Sequence, residues 1–260
     1  MAIKHNRNIE GIDIGGHNYK VGQYADDTFL LLKGDARSLR VAIRTFQEFY
    51  RCSGLKLNVD KTLVSWLGRK RGSLEYICND LNLKWTTSFN LLGIQFNSLD
   101  VNSSLKANLE GKLTRISRIL QQYGRRNLTI LGRVTVVKTL AIPQIVHILS
   151  IFPSPDVGFI NKLNEMISMF VWNNKKGKIN RNLLAQDYEE GGLKLTHIRS
   201  QIEALKLRWI RRYLLLENEE WTHIFQTVSR IEDIDRIFTL DPKSVVSIAS
   251  KIKNLSGVKY

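Results

Sequence analysis

Two adjacent carboxylates inside an apolar run constrain this chain more than any other feature. The stretch "GQYADDTFLLL" occupies residues 22–32, with Asp26 and Asp27 near its middle. From residue 19 the chain alternates in polarity up to the acids, and beyond them it turns wholly apolar. That is the pattern of two strands. An unpaired carboxylate is costly to bury, so the acids must face water, a cation or a partner. A β-hairpin satisfies both demands when its tight turn, at Ala25, Asp26 and Asp27, carries the acids outward.

The next segments read by periodicity and capping. In "DARSLRVAIRTFQEFYRCSG", Leu39, Ile43, Phe46 and Phe49 recur at helical spacing. Asp35 or Ser38 can cap the start, and Gly54 ends it. Strand-like runs follow at residues 63–67 and 91–96, with the basic loop "GRKRG" at 68–72 between them. From about residue 103 the texture becomes helical. Leu105, Leu109, Leu113, Ile116 and Leu120 form one stripe, while Lys106, Lys112, Arg115 and Arg118 occupy other faces. A second helix begins near "NLTILGRVTVVKTLAI" and bends or breaks at Pro143. A third is expected over about 156–172 and a last long one over about 196–216. The fold class is therefore α+β first and mostly helical afterwards.

Charge narrows the partners. The chain has 39 basic against 24 acidic residues, a formal net charge of +15 and a pI near 9.9. Such a surplus points to a polyanion, nucleic acid being the usual one, or else to a solvated basic surface. The cations cluster at residues 68–72, at Arg125 and Arg126, at Lys175, Lys176, Lys178 and Arg181, and at Arg208, Arg211 and Arg212 around Trp209. Each cluster either tracks phosphates or is plain solvated surface. Two cysteines, Cys52 and Cys78, supply neither a disulfide framework nor a zinc site, which implies a reducing intracellular compartment, nucleus or cytoplasm. No two of the five histidines fall at metal-ligand spacing. The N-terminus lacks an apolar signal core, so secretion is not expected. "TLAIPQIVHILSIFPSP", at 139–155, is short and broken by Pro143 and Pro153. It reads as a buried core helix, not a membrane span.

Several segments together resemble a known family. "YADD" at 24–27, "SGLKLNVDKT" at 53–62 and "LLGIQF" at 91–96 follow the order and spacing of three reverse-transcriptase palm motifs. Their flavour resembles LINE-type (non-LTR) retrotransposon reverse transcriptases. "LTILGRVTVVKTLAIPQIVHILSIFPSP" and "FVWNNKKGKINRNLLAQDYEEGGLKLTHI" resemble the thumb and post-thumb region of that group. The resemblance spans about residues 12–212.

It implies a partial reverse-transcriptase palm of antiparallel hairpins plus helix over 1–100, a helical thumb over 101–176 and a helical extension over 177–260. It further implies RNA-directed DNA polymerisation on an RNA template and DNA primer by two-metal chemistry with Mg²⁺. On that pattern Asp26 matches the metal-binding aspartate and Asp27 its less directly engaged neighbour. Tyr24 would lie beside the primer end, and small Ala25 would leave the primer room. Lys61 matches a lysine near the incoming triphosphate, or is an ordinary solvated lysine after a turn. Gly93 matches the hairpin turn that grips the primer backbone, or is a glycine of an ordinary hairpin. Arg125, Arg126, Lys175 and Lys176 would follow template–primer phosphates.

The resemblance also exposes a gap. Two-metal catalysis needs a further aspartate from a separate palm strand, which in the family lies far upstream of the hairpin. Residues 1–23 hold only Asp13, in "GIDIGG", on the strand leading into the hairpin. The expectation is an incomplete polymerase, inactive alone. The alternative is a non-catalytic nucleic-acid- or protein-binding module derived from such an element.

Overall fold

The computed structural model describes residues 2–175, 177, 179–215 and 220–229. Two compact units divide the chain: Met1–Asp100 with Leu216–Tyr260, and Val101–Leu215.

The first unit opens with a short helix, α1 (Ala2–His5), and two antiparallel hairpins. Strand β1 (Ile12–Ile14) pairs with β2 (His17–Tyr19), and β3 (Val21–Tyr24) with β4 (Asp27–Leu30). A bridge between Gly11 and Leu32 ties the hairpins, as does the Lys33 N–H donating to the Glu10 carbonyl at 3.0 Å. Asp13 thus lies in a hairpin of its own, a step removed from the expected strand into "YADD".

Helix α2 (Ala36–Ser53) lies behind the hairpins. Of the two candidate caps, Asp35 does the capping, its Oδ1 accepting the Ser38 N–H at 2.7 Å. Ser38 is buried, and its hydroxyl accepts the Glu10 N–H at 2.9 Å. Gly54, at φ +74°, closes the helix in the left-handed region. One side of α2 sets Ala42 against Ile3 and Ile9, with Val21 and Leu30 alongside. Leu39 and Ile43 pack with Cys78 and Leu83. The expected stripe stops short, because Phe49 is 54% exposed.

Two short strand pairings follow. The run 63–67 yields only β5 (Leu63–Val64), and Gly68 at φ +64° opens a 3₁₀ turn just beyond the run. Its partner β6 (Lys84–Trp85) runs parallel to it, where antiparallel hairpins alone were expected. The run 91–96 is not one strand but the tip of a hairpin, as both readings of Gly93 expected, with β7 (Ser88–Leu91) against β8 (Ile94–Asn97). Leu92 at φ +51° and Gly93 at φ +75° make its turn. Among the described residues all strands pair two by two, with no larger sheet.

The second unit is helical. Helix α3 (Val101–Gly124) buries Leu105, Leu109, Ile116 and Leu120, while Leu113 is half-buried at the margin of the stripe. Helix α4 (Ile130–Val136) continues into a π-helical turn, Val137–Ala141, and then α5 (Pro143–Ile151). Pro143 has no N–H to give, and the Ile142 N–H reaches back five residues to the Val137 carbonyl at 2.9 Å. The axis bends by 46° there, as the proline suggests. Helix α6 (Val157–Val171) is capped by Asp156, whose carboxylate accepts the Phe159 N–H at 2.7 Å. A single turn, α7 (Arg181–Ala185), and the long α8 (Ile198–Leu215) complete the unit. The division expected at 176/177 therefore falls inside one compact unit. Its core gathers Val134, Ile145, Leu149, Leu163, Ile167 and Ile198, all under 3% exposed.

No single helix among the described residues is long and apolar enough to cross a membrane. The bent α4–α5 pair has the length and composition, yet Val137, Ala141, Ile145, Ile148 and Leu149 are buried inside the unit. Returning to the first unit, α9 (Glu220–Ser229) packs against β1 and stacks His223 on His17 at 4.3 Å. Nothing in the sequence pattern marked that pairing.

Candidate functional site

The hairpin β3–β4 ends on the pair Tyr24↔Asp27, so Ala25 and Asp26 alone form its turn and Asp27 opens β4. Ala25 sits at φ +51°, a conformation that normally selects glycine. Below the turn, Gly22 faces Phe29, and a Cβ there would stand 2.1 Å from the Phe29 ring. The ring lies across the glycine and stiffens the hairpin. Tyr24 is 68% exposed, and both aspartates are exposed.

The side-chain carboxylates of Asp26 and Asp27 make no hydrogen bond or ion pair among the described residues. Their oxygens are hard donors open to a ligand, which suits Mg²⁺ in kind. In number they fall short of a two-metal site, since among the described residues no group of three or more metal-binding side chains assembles. Asp13 does not join them. Its Oδ1 accepts the Gly16 N–H at 3.2 Å within its own turn.

Lys61 ends a 3₁₀ turn, Val59–Lys61, that Asn58 caps by accepting the Lys61 N–H at 3.1 Å. Its ammonium is exposed, and no hydrogen bond or ion pair brings it to either aspartate. Gly93 is needed for its positive φ, and a Cβ there would meet nothing within 4 Å. The glycine answers to the turn first, and the space above it is open.

In the second unit the structure joins basic residues far apart in sequence. Arg125 and Arg126 follow α3, and Lys175 follows α6. Arg133, on α4, links the two segments. Its Nε donates to the Leu128 carbonyl at 3.4 Å, Nη1 to the Phe170 carbonyl at 2.9 Å and Nη2 to Asn173 Oδ1 at 3.1 Å. The guanidinium is buried, 5.2 Å from the Phe170 ring centroid, at the carbonyl end of α6 where a cation is favoured. Arg125, Arg126 and Lys175 thereby stand exposed at one end of the helical unit, with Arg126 over the Tyr123 ring at 4.7 Å. Lys176, expected in this group, lies outside the described residues, as does Lys178.

Arg181 departs from its expected role on the surface. Its Nη1 donates to the Asn164 carbonyl at 2.9 Å, while Nε and Nη2 are buried and unpaired, and burial lowers its pKa. Trp209 is exposed, its indole N–H donating to the Ser150 carbonyl at 2.8 Å and the Arg212 guanidinium lying 5.8 Å from its ring centroid. Sequence reasoning missed Arg133. The available signal was a lone arginine in the apolar run "LTILGRVTVV".

No protein-family model matches the chain.

Proposed function

We propose that this chain is the palm-and-thumb portion of a LINE-type reverse transcriptase, an RNA-directed DNA polymerase working on an RNA template and DNA primer inside the cell. One observation carries the reading. A stiff two-residue hairpin turn presents Tyr24, Asp26 and Asp27 to solvent, with both carboxylates free of partners among the described residues. Asp26 and Asp27 would hold Mg²⁺, which when bound supplies charge stabilisation to nucleotidyl transfer. Tyr24 would lie along the primer end, Ala25 would leave room for its backbone, and Lys61 would face the triphosphate. Arg125, Arg126 and Lys175 would neutralise template–primer phosphates.

The reading requires a third carboxylate beyond those the described residues bring together. The chain alone is accordingly expected to give no primer extension with Mg²⁺ and deoxynucleotides. Adding the fingers and upstream palm half of a related intact element should restore extension if the halves associate. In that pair Asp26→Ala should abolish the activity and Lys61→Ala should slow it. Extension that survives Asp26→Ala would refute the metal assignment.

A second reading is a non-catalytic nucleic-acid-binding module. The exposed Arg125, Arg126 and Lys175 at one end of the helical unit favour it, since that arrangement needs no metal site. Restored extension in trans decides between the two.

A further inference from the structure

The parallel pair β5–β6 has a consequence in the first unit that the palm motifs do not account for. It brings Trp66, two residues past β5, beside Trp85 at the end of β6. The indole centroids are 4.9 Å apart, and Tyr76 lies 5.3 Å from Trp85 on a connecting loop. The interplanar angles of 39° and 30° make this an oblique ladder with Trp85 in the middle. Its placement is held firmly. The Trp66 Nε1–H donates to the Glu75 carbonyl at 2.7 Å, and Gly34 gives the ring room, since a Cβ there would stand 2.9 Å from it.

The ladder borders a shallow, open cleft lined by Tyr76, Asn79, Asn82, Leu83 and Trp85. Tyr76 is 49% exposed, and the side-chain amides of Asn79 and Asn82 make no hydrogen bond among the described residues. The lining is aromatic faces plus planar groups that each both donate and accept, which is the chemistry that takes a nucleobase. Asp80, between the two asparagines, is engaged by Arg40 through contacts of 2.5 and 2.6 Å. Beside the cleft the loop supplies Arg69, Lys70 and Arg71. Lys70 sits 4.8 Å from the Trp66 centroid, while Arg69 and Arg71 are exposed and pair with no described carboxylate. Glu75, the other acid between β5 and β6, does not line the cleft.

We infer that the exposed Tyr76 ring, at the open end of this ladder beside the Asn79–Asn82 cleft, is a stacking site for unpaired bases of single-stranded nucleic acid, with Arg69 and Arg71 neutralising the adjoining phosphates. Aromatic faces need an unstacked base, and the cations select a polyanion over an apolar peptide. The site lies apart from the Asp26–Asp27 turn in sequence and holds whether or not the chain polymerises.

The test titrates the full chain with a short oligo(dT), reading tryptophan fluorescence and the anisotropy of end-labelled oligonucleotide at several salt concentrations. Binding should quench the indoles, with Trp85→Leu removing most of that quenching. Tyr76→Ser, at a half-exposed position that circular dichroism and melting will show to be folded, should weaken binding about fivefold. Its salt slope should match the parent's, because no phosphate contact is lost. Arg69→Ala with Arg71→Ala should instead flatten the slope. The inference is overturned if Tyr76→Ser binds like the parent, if a duplex of equal length competes equally, or if thymidine monophosphate binds as tightly as the oligonucleotide. It is also overturned if an aromatic peptide quenches Trp85 and the oligonucleotide does not. Primer extension in trans reads Asp26 and not this cleft, so the two readings fail separately.

Discussion

Ala25 holds a backbone angle of φ +51° that a Cβ disfavours, in the turn that presents Asp26 and Asp27. Ala25→Gly should therefore stabilise the protein by about 1 kcal/mol, less glycine's greater unfolded-state entropy, read as a rise in thermal midpoint. An unchanged or lower midpoint would mean that the alanine is not strained. Arg133 acts in the opposite sense, as a single side chain that closes three backbone and side-chain acceptors. Arg133→Met should cost about 3 kcal/mol, because it removes all three hydrogen bonds of a buried guanidinium. Arg133→Lys should recover little of it, since one ammonium cannot span the three acceptors. Denaturant midpoints check both. A near-neutral Arg133→Met would show that the loop ends hold without it.

At the scale of elements, α3 separates buried from marginal positions along one stripe. Leu109 is 4% exposed while Leu113 is half-buried. Leu109→Asp should cost several kcal/mol, on the order of a buried unpaired charge, and Leu113→Asp clearly less. Equal melting of the two variants would mean the facing of α3 is wrong.

The contact of α8 with α5 carries a pH dependence. The Lys206 ammonium donates to the Leu149 carbonyl at 2.8 Å and to the Phe152 carbonyl, and burial lowers its pKa from the ordinary 10.5 to about 8. Between those values the unfolded chain holds the proton more often than the folded one. Stability should then rise with pH across roughly 8 to 10.5 and be flat in this respect below 8. Lys206→Met removes the slope. A parent and variant with parallel pH–stability curves would show that Lys206 stays solvated.

For the whole molecule the net charge of +15 sets the long-range behaviour. Binding to single strands should fall with salt at a log–log slope of about −0.7 per neutralised phosphate. Affinity that stays level between low and moderate salt would contradict an electrostatic footprint, whatever the chemistry at Asp26. The exposed Arg125, Arg126 and Lys175 are the first candidates for charge removal, each expected to reduce the slope by a similar step.

Local signals determined much of this protein. The "YADD" hairpin followed from two acids that cannot be buried, α2 from Asp35 and Gly54 at its ends, and the bend at Pro143 from a missing N–H. Each depends on residues within a few positions of one another, so the sequence pattern suffices. What the tertiary structure decided involves partners far apart. The parallel β5–β6 pair, the Arg133 link from Leu128 to Asn173, the inward turn of Arg181 and the stacking of His223 on His17 all close long loops. Such contacts leave no periodicity behind, because many pairings of distant segments satisfy the same local pattern. Only the packing of each unit's core selects one. In that way a lone arginine in an apolar run becomes the organiser of a basic face, and two tryptophans nineteen positions apart become one surface.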